Sequence, residues 1–193
     1  KNIGLYFGSF NPIHIGHLII ANYVLQHTGL DELWFVISPQ NPFKKQEELA
    51  SENDRLNMVK LAIEGSPKLM ACDVEFSLER PSYTANTLQH LKALYPTFQF
   101  CVVLGEDNKD KFHLWKEFEW ILREFPIIFY PRPGSKNENS HIPWDEHRVQ
   151  IIDAPLIGIS STQIRNEIRS GGDIRFMTPD VVLEYLHAHH IYS

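Results

Sequence analysis

The sequence predicts an α/β fold of the Rossmann-like, doubly wound type, in which a mainly parallel sheet carries helices on both faces. Short apolar runs rich in β-forming residues alternate with segments whose apolar residues recur every three to four positions. The chain also changes from strand to helix periodicity across one glycine-containing turn near its start. Such alternation favours right-handed crossovers between parallel strands, with ligands bound beyond the carboxyl ends of the strands.

Each predicted strand is a short β-forming run, and each predicted helix is a longer amphipathic stretch. Strands are predicted over residues 2–7, 33–37, 69–73, 98–104, 126–130 and 149–153. Helices are predicted over residues 18–25, 51–64, 84–95, 112–123, 161–170 and 179–189. Residues 131–144 are polar and rich in turn formers, so they are predicted to be a loop.

Length, hydrophobic content and cysteine usage fit a single domain in the cytoplasm. The chain has 193 residues, of which 43% are hydrophobic, and this is enough for a substantial core. We expect one domain over residues 1–193, with a C-terminal helical segment at about 160–190. Cys72 and Cys101 are far apart and lie in strand-like runs, so we expect reduced core cysteines.

Charge and hydropathy limit the classes of partner. The net charge of −6 argues against a nucleic-acid partner, which would require a basic face. No apolar run approaches the roughly 18 residues that a membrane span needs, so we expect no membrane partner. The pattern does not distinguish a monomer from a small homo-oligomer.

The turn between the first strand and the first helix, residues 8–17, has the composition of a phosphate site, and we call it the phosphate turn. Gly8 and Gly16 allow backbone and ligand to approach closely, and a helix N-terminus offers free N–H groups. His14 and His17 lie one helical turn apart and are predicted to face the same space. Neither the P-loop lysine pattern nor the dinucleotide glycine pattern is present at this turn, so histidine is the side chain nearest the anion.

Two other interpretations of this histidine pair stay open. The two rings could be metal ligands, although no H-E-x-x-H glutamate accompanies them. They could also cap and pack the first turn of a buried helix. The glycines, serine and asparagine around the pair favour the phosphate site.

Two motifs at opposite ends of the chain resemble those of the nucleotidyltransferase superfamily. The pattern G-x-F-x-P-x-H-x-G-H is complete at Gly8, Phe10, Pro12, His14, Gly16 and His17, and residues 159–165 read I-S-S-T-Q-I-R. Members of this superfamily transfer a nucleoside monophosphate from a triphosphate. In the second motif the resemblance implies that hydroxyls cap a helix and bind phosphate, and that Arg165 meets the triphosphate.

Further segments resemble one branch, the nicotinate-nucleotide adenylyltransferases, which join nicotinate mononucleotide to the adenylyl group of ATP. These segments are P-S-Y-T-A-N-T-L at residues 81–88, Gly105-Glu106-Asp107 followed by Trp115, and Y-P-R-P-G at residues 130–134. The resemblance covers nearly the whole chain in the expected order. One departure is Pro42-Phe43-Lys44-Lys45, where the family usually shows Pro-His-Lys.

The resemblance implies a role for each residue of the site. Catalysis would fall to His14, His17, Lys44 and Arg165, with Lys45 as a substitute for Lys44. ATP would be bound by Gly8, Ser9, Phe10, His14, Gly16, His17, Lys44, Gly105, Ser160, Ser161, Thr162 and Arg165. Nicotinate mononucleotide would be bound by Ser9, Phe10, Asn11, Tyr83, Thr84, Asp107, Trp115 and Arg132. Mg²⁺ would arrive on the ATP phosphates, without protein ligands.

Alternatives remain for single residues and for the function. Trp115 could be a core residue of an amphipathic helix with Phe118, Ile121 and Leu122. Tyr83 could serve packing alone. The enzyme could also use nicotinamide mononucleotide, or it could be a relative that acts on phosphopantetheine. A nucleotide-binding regulatory module without turnover is the non-enzymatic alternative.

Overall fold

The parallel sheet of this chain runs in the order β3-β2-β1-β4-β5-β6. The computed structural model describes residues 1–39, 49–134 and 148–193, and within them the sheet has six strands. The strands are β1 (Asn2–Gly8), β2 (Glu32–Ile37), β3 (Leu69–Cys72), β4 (Gln99–Gly105), β5 (Ile127–Tyr130) and β6 (Val149–Ile151). The strand order reverses between β1 and β4, which places a ligand crevice at the carboxyl ends of these two strands.

Helices lie between these strands and after the last one, as the periodicity predicts, and most bounds agree within three residues. They are α1 (Ile15–His27), α2 (Glu52–Ala62), α3 (Thr84–Leu94), α4 (Phe118–Glu124), α5 (Ser161–Arg169) and α6 (Asp180–Ala188). In the part of the chain that the structure describes, two 3-10 helices follow β3 and β4, at Val74–Ser77 and Glu106–Leu114. No described helix is long and apolar enough to cross a membrane.

The sheet separates two apolar clusters, because successive residues of a strand point to opposite faces. On β1, Leu5 belongs to one cluster and Tyr6 to the other, and on β2 the same alternation separates Val36 from Phe35. Helices α1, α2, α5 and α6 cover the Tyr6 face, whereas α3 and α4 cover the Leu5 face. Each fully buried side chain of this kind contributes about 1.5–3 kcal/mol to stability. This arrangement confirms the predicted doubly wound fold.

The structure corrects the helix predicted over residues 112–123. A 3-10 helix ends at Leu114, the backbone of Glu117 has a left-handed φ of 55°, and α4 begins only at Phe118. Phe112 and Ile121 lie on either side of this break and are both fully buried in the same cluster. Their common burial produces helix-like apolar spacing across two separate elements, so the prediction was wrong here. Trp115 follows the 3-10 helix and does not begin an α-helix.

Two other predictions concern the sixth strand and the loop at residues 131–144. The sixth strand covers Val149–Ile151 and is shorter than predicted, since it pairs with β5 alone among the described residues. The predicted loop at 131–144 is described only to Gly134, which has a φ of 81° in a turn. Its remainder lies outside the described residues.

Candidate active site

The phosphate turn brings its two histidines into direct contact. His14 precedes α1, and its backbone N–H donates to Nδ1 of His17 at 3.2 Å. The two imidazoles stack with ring centroids 3.7 Å apart and an interplanar angle of 25°. Gly16 makes this arrangement possible, because a Cβ at this position would lie 3.0 Å from Cε1 and Nδ1 of His14. The phosphate turn therefore places two imidazole rings side by side, facing the same space, as the sequence spacing predicts.

His14 is neutral at neutral pH. Burial, together with the positive charge of Arg132, lowers its pKa to about 4. Its Nδ1 has no hydrogen-bond partner among the described residues, although the ring is only 6% exposed. A neutral imidazole still carries one N–H donor. His14 can therefore donate to a phosphate oxygen, but the stronger donation of a protonated ring is not available to it at neutral pH.

The buried side chain of Phe10 packs between the phosphate turn and the core. Its ring is 1% exposed and meets Phe35 and His17 edge-on, with centroid distances of 5.2 and 5.1 Å. A Cβ on Gly8 would lie 2.8 Å from Cζ of Phe10, so the ring needs a glycine there. The left-handed φ of 44° at Phe10 is unusual for a bulky residue and shows that packing fixes the turn. Only the backbone of Phe10 remains for ligand contact.

The second motif begins α5 directly against the phosphate turn. The hydroxyl of Ser160 caps α5 by accepting the Gln163 backbone N–H at 3.2 Å. The hydroxyl of Ser161 donates to the Pro12 carbonyl oxygen at 2.9 Å. Two segments from opposite ends of the chain thus meet at one place, which is what a common phosphate site requires.

Arg165 fastens α5 to the same turn. The side chain is buried, and its Nη1 donates to the Asn11 carbonyl oxygen at 2.9 Å. Its Nη2 donates to the Thr162 hydroxyl at 3.4 Å. The guanidinium therefore brings its charge to the turn while part of its hydrogen-bonding capacity is used within the protein.

Asn11 connects the phosphate turn to the chain before α2 and to the C-terminal segment. Its side-chain oxygen accepts the Ala50 backbone N–H at 2.9 Å and the hydroxyl of Tyr192. The residue is 3% exposed. This oxygen is therefore engaged inside the protein, and the geometry gives Asn11 a part in shaping the turn.

The carboxyl ends of β4 and β5 bring three predicted residues together. A Cβ on Gly105 would lie 2.3 Å from Oδ1 of Asp107, so the Asp107 carboxylate lies directly over this glycine. Nη1 of Arg132 lies 3.7 Å from Oδ2 of Asp107, and both side chains are about half exposed. Nη2 of Arg132 also donates to the Tyr130 hydroxyl at 3.2 Å. A ligand can therefore reach both charges of this pair.

Two tyrosines connect that charged pair to the histidines. The Tyr6 hydroxyl donates to the Tyr130 hydroxyl at 3.3 Å, and burial raises the pKa of Tyr6 well above its ordinary value. The Tyr6 ring centroid lies 6.2 Å from that of His17. Burial keeps Tyr6 neutral, and the side chains of Tyr6 and Tyr130 lie between the phosphate turn and Arg132.

The residues predicted for the pyridine ring lie around the start of α3. Thr84 is the first residue of α3, and Tyr83 before it is 41% exposed. Nζ of Lys116 lies 5.0 Å from the Tyr83 ring centroid, so the segment after the 3-10 helix adjoins this helix start. Trp115 is half-buried and stacks on Phe112 with a centroid distance of 4.9 Å. Trp115 thus packs against the core as the alternative interpretation implies, while part of its ring stays accessible.

Two predictions about the site remain, namely the lysines after β2 and the absence of protein ligands for a metal ion. Lys44 and Lys45, with the departure at Pro42 and Phe43, lie outside the described residues. Within residues 1–39, 49–134 and 148–193, no group of three or more His, Cys, Asp or Glu side chains could hold a metal ion.

Sequence reasoning missed two buried charges behind the site, Arg55 on α2 and Glu75 in the first 3-10 helix. Arg55 donates to the Ser9 carbonyl oxygen of the phosphate turn at 2.8 Å. Glu75 accepts the hydroxyl of Ser82, next to Tyr83, at 3.0 Å. The one signal in the sequence is that Arg55 directly precedes the apolar stripe of α2, a position normally given to a solvated charge.

Comparison with known proteins places this arrangement in a family. A family model described as cytidylyltransferase-like matches residues 5–167. A probable nicotinate-nucleotide adenylyltransferase of Cytophaga hutchinsonii is 47% identical over 99% of this chain and 98% of its own. One of Flavobacterium johnsoniae is 45% identical over 99% of this chain and 98% of its own. The solved nicotinic acid mononucleotide adenylyltransferase of Plasmodium falciparum complexed with NaAD shares the fold, with a TM-score of 0.83 at 24% identity over 100% of this chain and 97% of that one. The chain therefore belongs to the cytidylyltransferase-like family and, within it, to the nicotinate-nucleotide adenylyltransferases.

Proposed function

We propose that this protein transfers the adenylyl group of ATP to nicotinate mononucleotide, giving nicotinate adenine dinucleotide and pyrophosphate in NAD biosynthesis. The observation that carries the proposal is the meeting of both motifs at one turn, where Ser161 and Arg165 bind the backbone beside the stacked His14 and His17. The names of the relatives at 47% and 45% identity support the choice of substrate.

The reaction needs no general base in the protein. The attacking group is the 5′-phosphate of nicotinate mononucleotide, whose second pKa of about 6 leaves it largely dianionic at neutral pH. One of its oxygens forms a bond to the α-phosphorus of ATP as the bond to the β-phosphate oxygen breaks in line, and pyrophosphate leaves. The protein's work is to hold two anions together and to stabilise the charge on the transferred group.

His17 and the neutral His14 are proposed to donate to the α- and β-phosphate oxygens, where charge develops in the transition state. Backbone N–H groups of the phosphate turn near Gly8, Ser9 and Phe10 would hold the mononucleotide phosphate or the α-phosphate. Because these donors are fixed by the packing of Phe10, they would need little rearrangement during the reaction.

The β- and γ-phosphates are proposed to meet Lys44 and the start of α5, with Ser160, Ser161 and Thr162. Arg165 would act there mainly through its charge, since its guanidinium is buried against the turn. ATP would arrive as its Mg²⁺ complex, with the ion held by phosphate oxygens and neutralising their charge.

Nicotinate mononucleotide is proposed to bind at two places, the Asp107–Arg132 pair and the start of α3 near Trp115. Asp107 and Arg132, both about half exposed, would bind ribose hydroxyls and phosphate. Trp115 would stack on the pyridine ring, while backbone N–H groups near Tyr83 and Thr84 would donate to the nicotinate carboxylate.

We propose further that residues 1–193 act as one domain in the cytoplasm with small-molecule substrates alone. The two cysteines support this location, because Cys72 and Cys101 are free.

The test is pyrophosphate release with ATP and Mg²⁺, with nicotinate mononucleotide, nicotinamide mononucleotide and phosphopantetheine supplied in parallel at matched concentrations. A reaction without acceptor controls for hydrolysis of ATP. A strong preference for nicotinate mononucleotide supports the proposal. Comparable use of the amide would make the enzyme dual in specificity, and ATP binding without release in all three arms would leave a regulatory binding module.

A further inference from the structure

Arg55 is a fully buried cation that is bound by backbone carbonyl groups. It lies on α2, and burial lowers its pKa from the ordinary value. Its guanidinium donates to the carbonyl oxygens of Ser9 at 2.8 Å, Ser38 at 2.7 Å, Pro39 at 2.8 Å and Ala50 at 3.1 Å. One side chain thus joins the phosphate turn, the end of β2 and the chain that leads into α2.

Glu75 is the corresponding buried anion, at 2% exposure in the first 3-10 helix. Its carboxylate accepts the Thr87 hydroxyl at 2.7 Å and the Ser82 hydroxyl at 3.0 Å. It also accepts the hydroxyl of Ser38. Burial raises the pKa of Glu75, and the hydrogen bonds from the three hydroxyls oppose that rise. Glu75 therefore fastens the P-S-Y-T segment, residues 81–84, to the end of β2.

Ser38 is the residue at which the two charges meet. Its backbone N–H donates to the Gly8 carbonyl oxygen at 2.9 Å, and its own carbonyl oxygen accepts from Arg55 at 2.7 Å. Its hydroxyl donates to Glu75. Every polar group of Ser38 is used, and each connects to a different part of the site.

We propose that Arg55, Ser38 and Glu75 form a positioning network that fixes the phosphate turn relative to the P-S-Y-T segment. This inference rests on the proposed function, in which the phosphate turn receives ATP and the P-S-Y-T segment receives the pyridine end of nicotinate mononucleotide. Reacting atoms must approach to about 3–3.5 Å, and a misplacement of 1 Å costs about 100-fold in rate. A rigid connection between the two substrate subsites therefore serves turnover directly.

Two substitutions at Ser38 separate positioning from general stability. Ser38→Ala keeps both backbone hydrogen bonds of Ser38 and removes the one from its hydroxyl to Glu75. Ser38→Thr restores a hydroxyl at the same carbon. The hydrogen bond from Ser38 fixes Glu75, and Glu75 in turn holds the P-S-Y-T segment. We therefore expect Ser38→Ala to raise the KM for nicotinate mononucleotide about fivefold or more and to leave the KM for ATP within about twofold. We expect Ser38→Thr to return the KM for the mononucleotide to near the wild-type value.

Arg55→Lys tests the other half of the network. One ammonium cannot reach four carbonyl groups that a planar guanidinium spans. The Ser9 backbone should therefore shift, and we expect kcat to fall about tenfold or more. Arg123→Lys is the matched control, since Arg123 is 68% exposed on α4 and pairs with its neighbour Glu124. It should leave kcat and both KM values unchanged.

The experiment is steady-state kinetics with each substrate varied in turn, on the wild type and the four variants, with a thermal melt of each protein. The expected pattern is a selective rise in the KM for nicotinate mononucleotide in Ser38→Ala, reversed in Ser38→Thr. Wild-type kinetics in Ser38→Ala, or equal rises in both KM values that track a lower melting temperature, would overturn the network. If Arg55→Lys does not fold, the Ser38 pair decides alone. An inactive wild type refutes the proposed function and this inference with it, whereas an active wild type with unchanged variants refutes this inference alone.

Discussion

Gly16→Ala would add one methyl group next to the stacked rings of His14 and His17. The new Cβ would lie 3.0 Å from Cε1 and Nδ1 of His14 and 3.3 Å from Cγ2 of Ile157. Carbon atoms in ordinary contact are about 3.5–4.0 Å apart, so the His14 ring has to move by roughly 0.5 Å. Because His14 stacks on His17, the displacement reaches both rings.

The same substitution affects stability and turnover differently. Alanine is favoured over glycine inside a helix by about 1 kcal/mol, and the tight contact opposes this gain with a cost of about 1–3 kcal/mol. The free energy of unfolding should therefore change by no more than about 2 kcal/mol. A misplacement of 1 Å costs about 100-fold in rate, so a shift of about half that size should lower kcat by roughly tenfold.

The assay combines kcat at saturating substrates with urea unfolding of the same samples. Gly29→Ala is the control, because a Cβ at Gly29 has no atom within 4 Å and its glycine is exposed. We expect this control to keep the wild-type kcat. A Gly16→Ala enzyme with wild-type turnover would refute the claim that the His14 position matters for the reaction.

Three further predictions concern pH, a helix cap and the thiols. The pKa of His14 in the folded protein, about 4, lies below the ordinary 6.5, so the unfolded chain takes up a proton first as the pH falls. The contribution of His14 to the free energy of unfolding is therefore complete above pH 6.5, and by pH 4 it has decreased by about 3 kcal/mol. Urea unfolding from pH 7.5 to 4 should show a flatter profile for His14→Gln than for the wild type, and parallel profiles would contradict this. Ser51→Ala removes the hydroxyl that accepts the Asp54 backbone N–H at 3.1 Å, and should cost about 1 kcal/mol in chemical denaturation with kcat unchanged; no loss of stability would show that the cap is unimportant. Cys101 is buried and Cys72 is half-buried, and burial raises the pKa of Cys72 to about 11 and of Cys101 to about 12. Both thiols should therefore react with iodoacetamide at pH 8 much more slowly in the native protein than in the unfolded one, and equally rapid labelling of the native protein would contradict this.

Much of the fold follows from local patterns in the sequence. The strands are predictable because buried parallel strands need continuous apolar runs, as in Phe35 to Ile37, and the helices because one face repeats every 3.6 residues. The segment from Phe112 to Ile121 could not be predicted from spacing. Two elements that bury residues in one cluster give the same apolar pattern as one helix, and the left-handed Glu117 between them carries no glycine to mark the break.

The candidate site shows the same division between local and tertiary information. The proximity of His14 and His17 follows from their spacing of three residues at the start of α1, with Gly16 leaving room for the stacked rings. The bond from Arg165 to Asn11 depends on how α5 packs against the first turn, which no local pattern specifies. Arg55 was missed for a related reason, since an arginine on an amphipathic helix is normally solvated and its carbonyl partners are assembled only by the fold.

We propose that the phosphate turn catalyses adenylyl transfer through the His17 side chain. Pyrophosphate release by His17→Ala, at saturating ATP and nicotinate mononucleotide, tests it most directly when the KM for ATP is measured in parallel. We predict that kcat falls by about 100-fold or more, as for the loss of one preorganised donor, while the KM for ATP changes by less than about fivefold. Unchanged turnover in His17→Ala, or a rise in the KM for ATP with kcat preserved, would contradict the account.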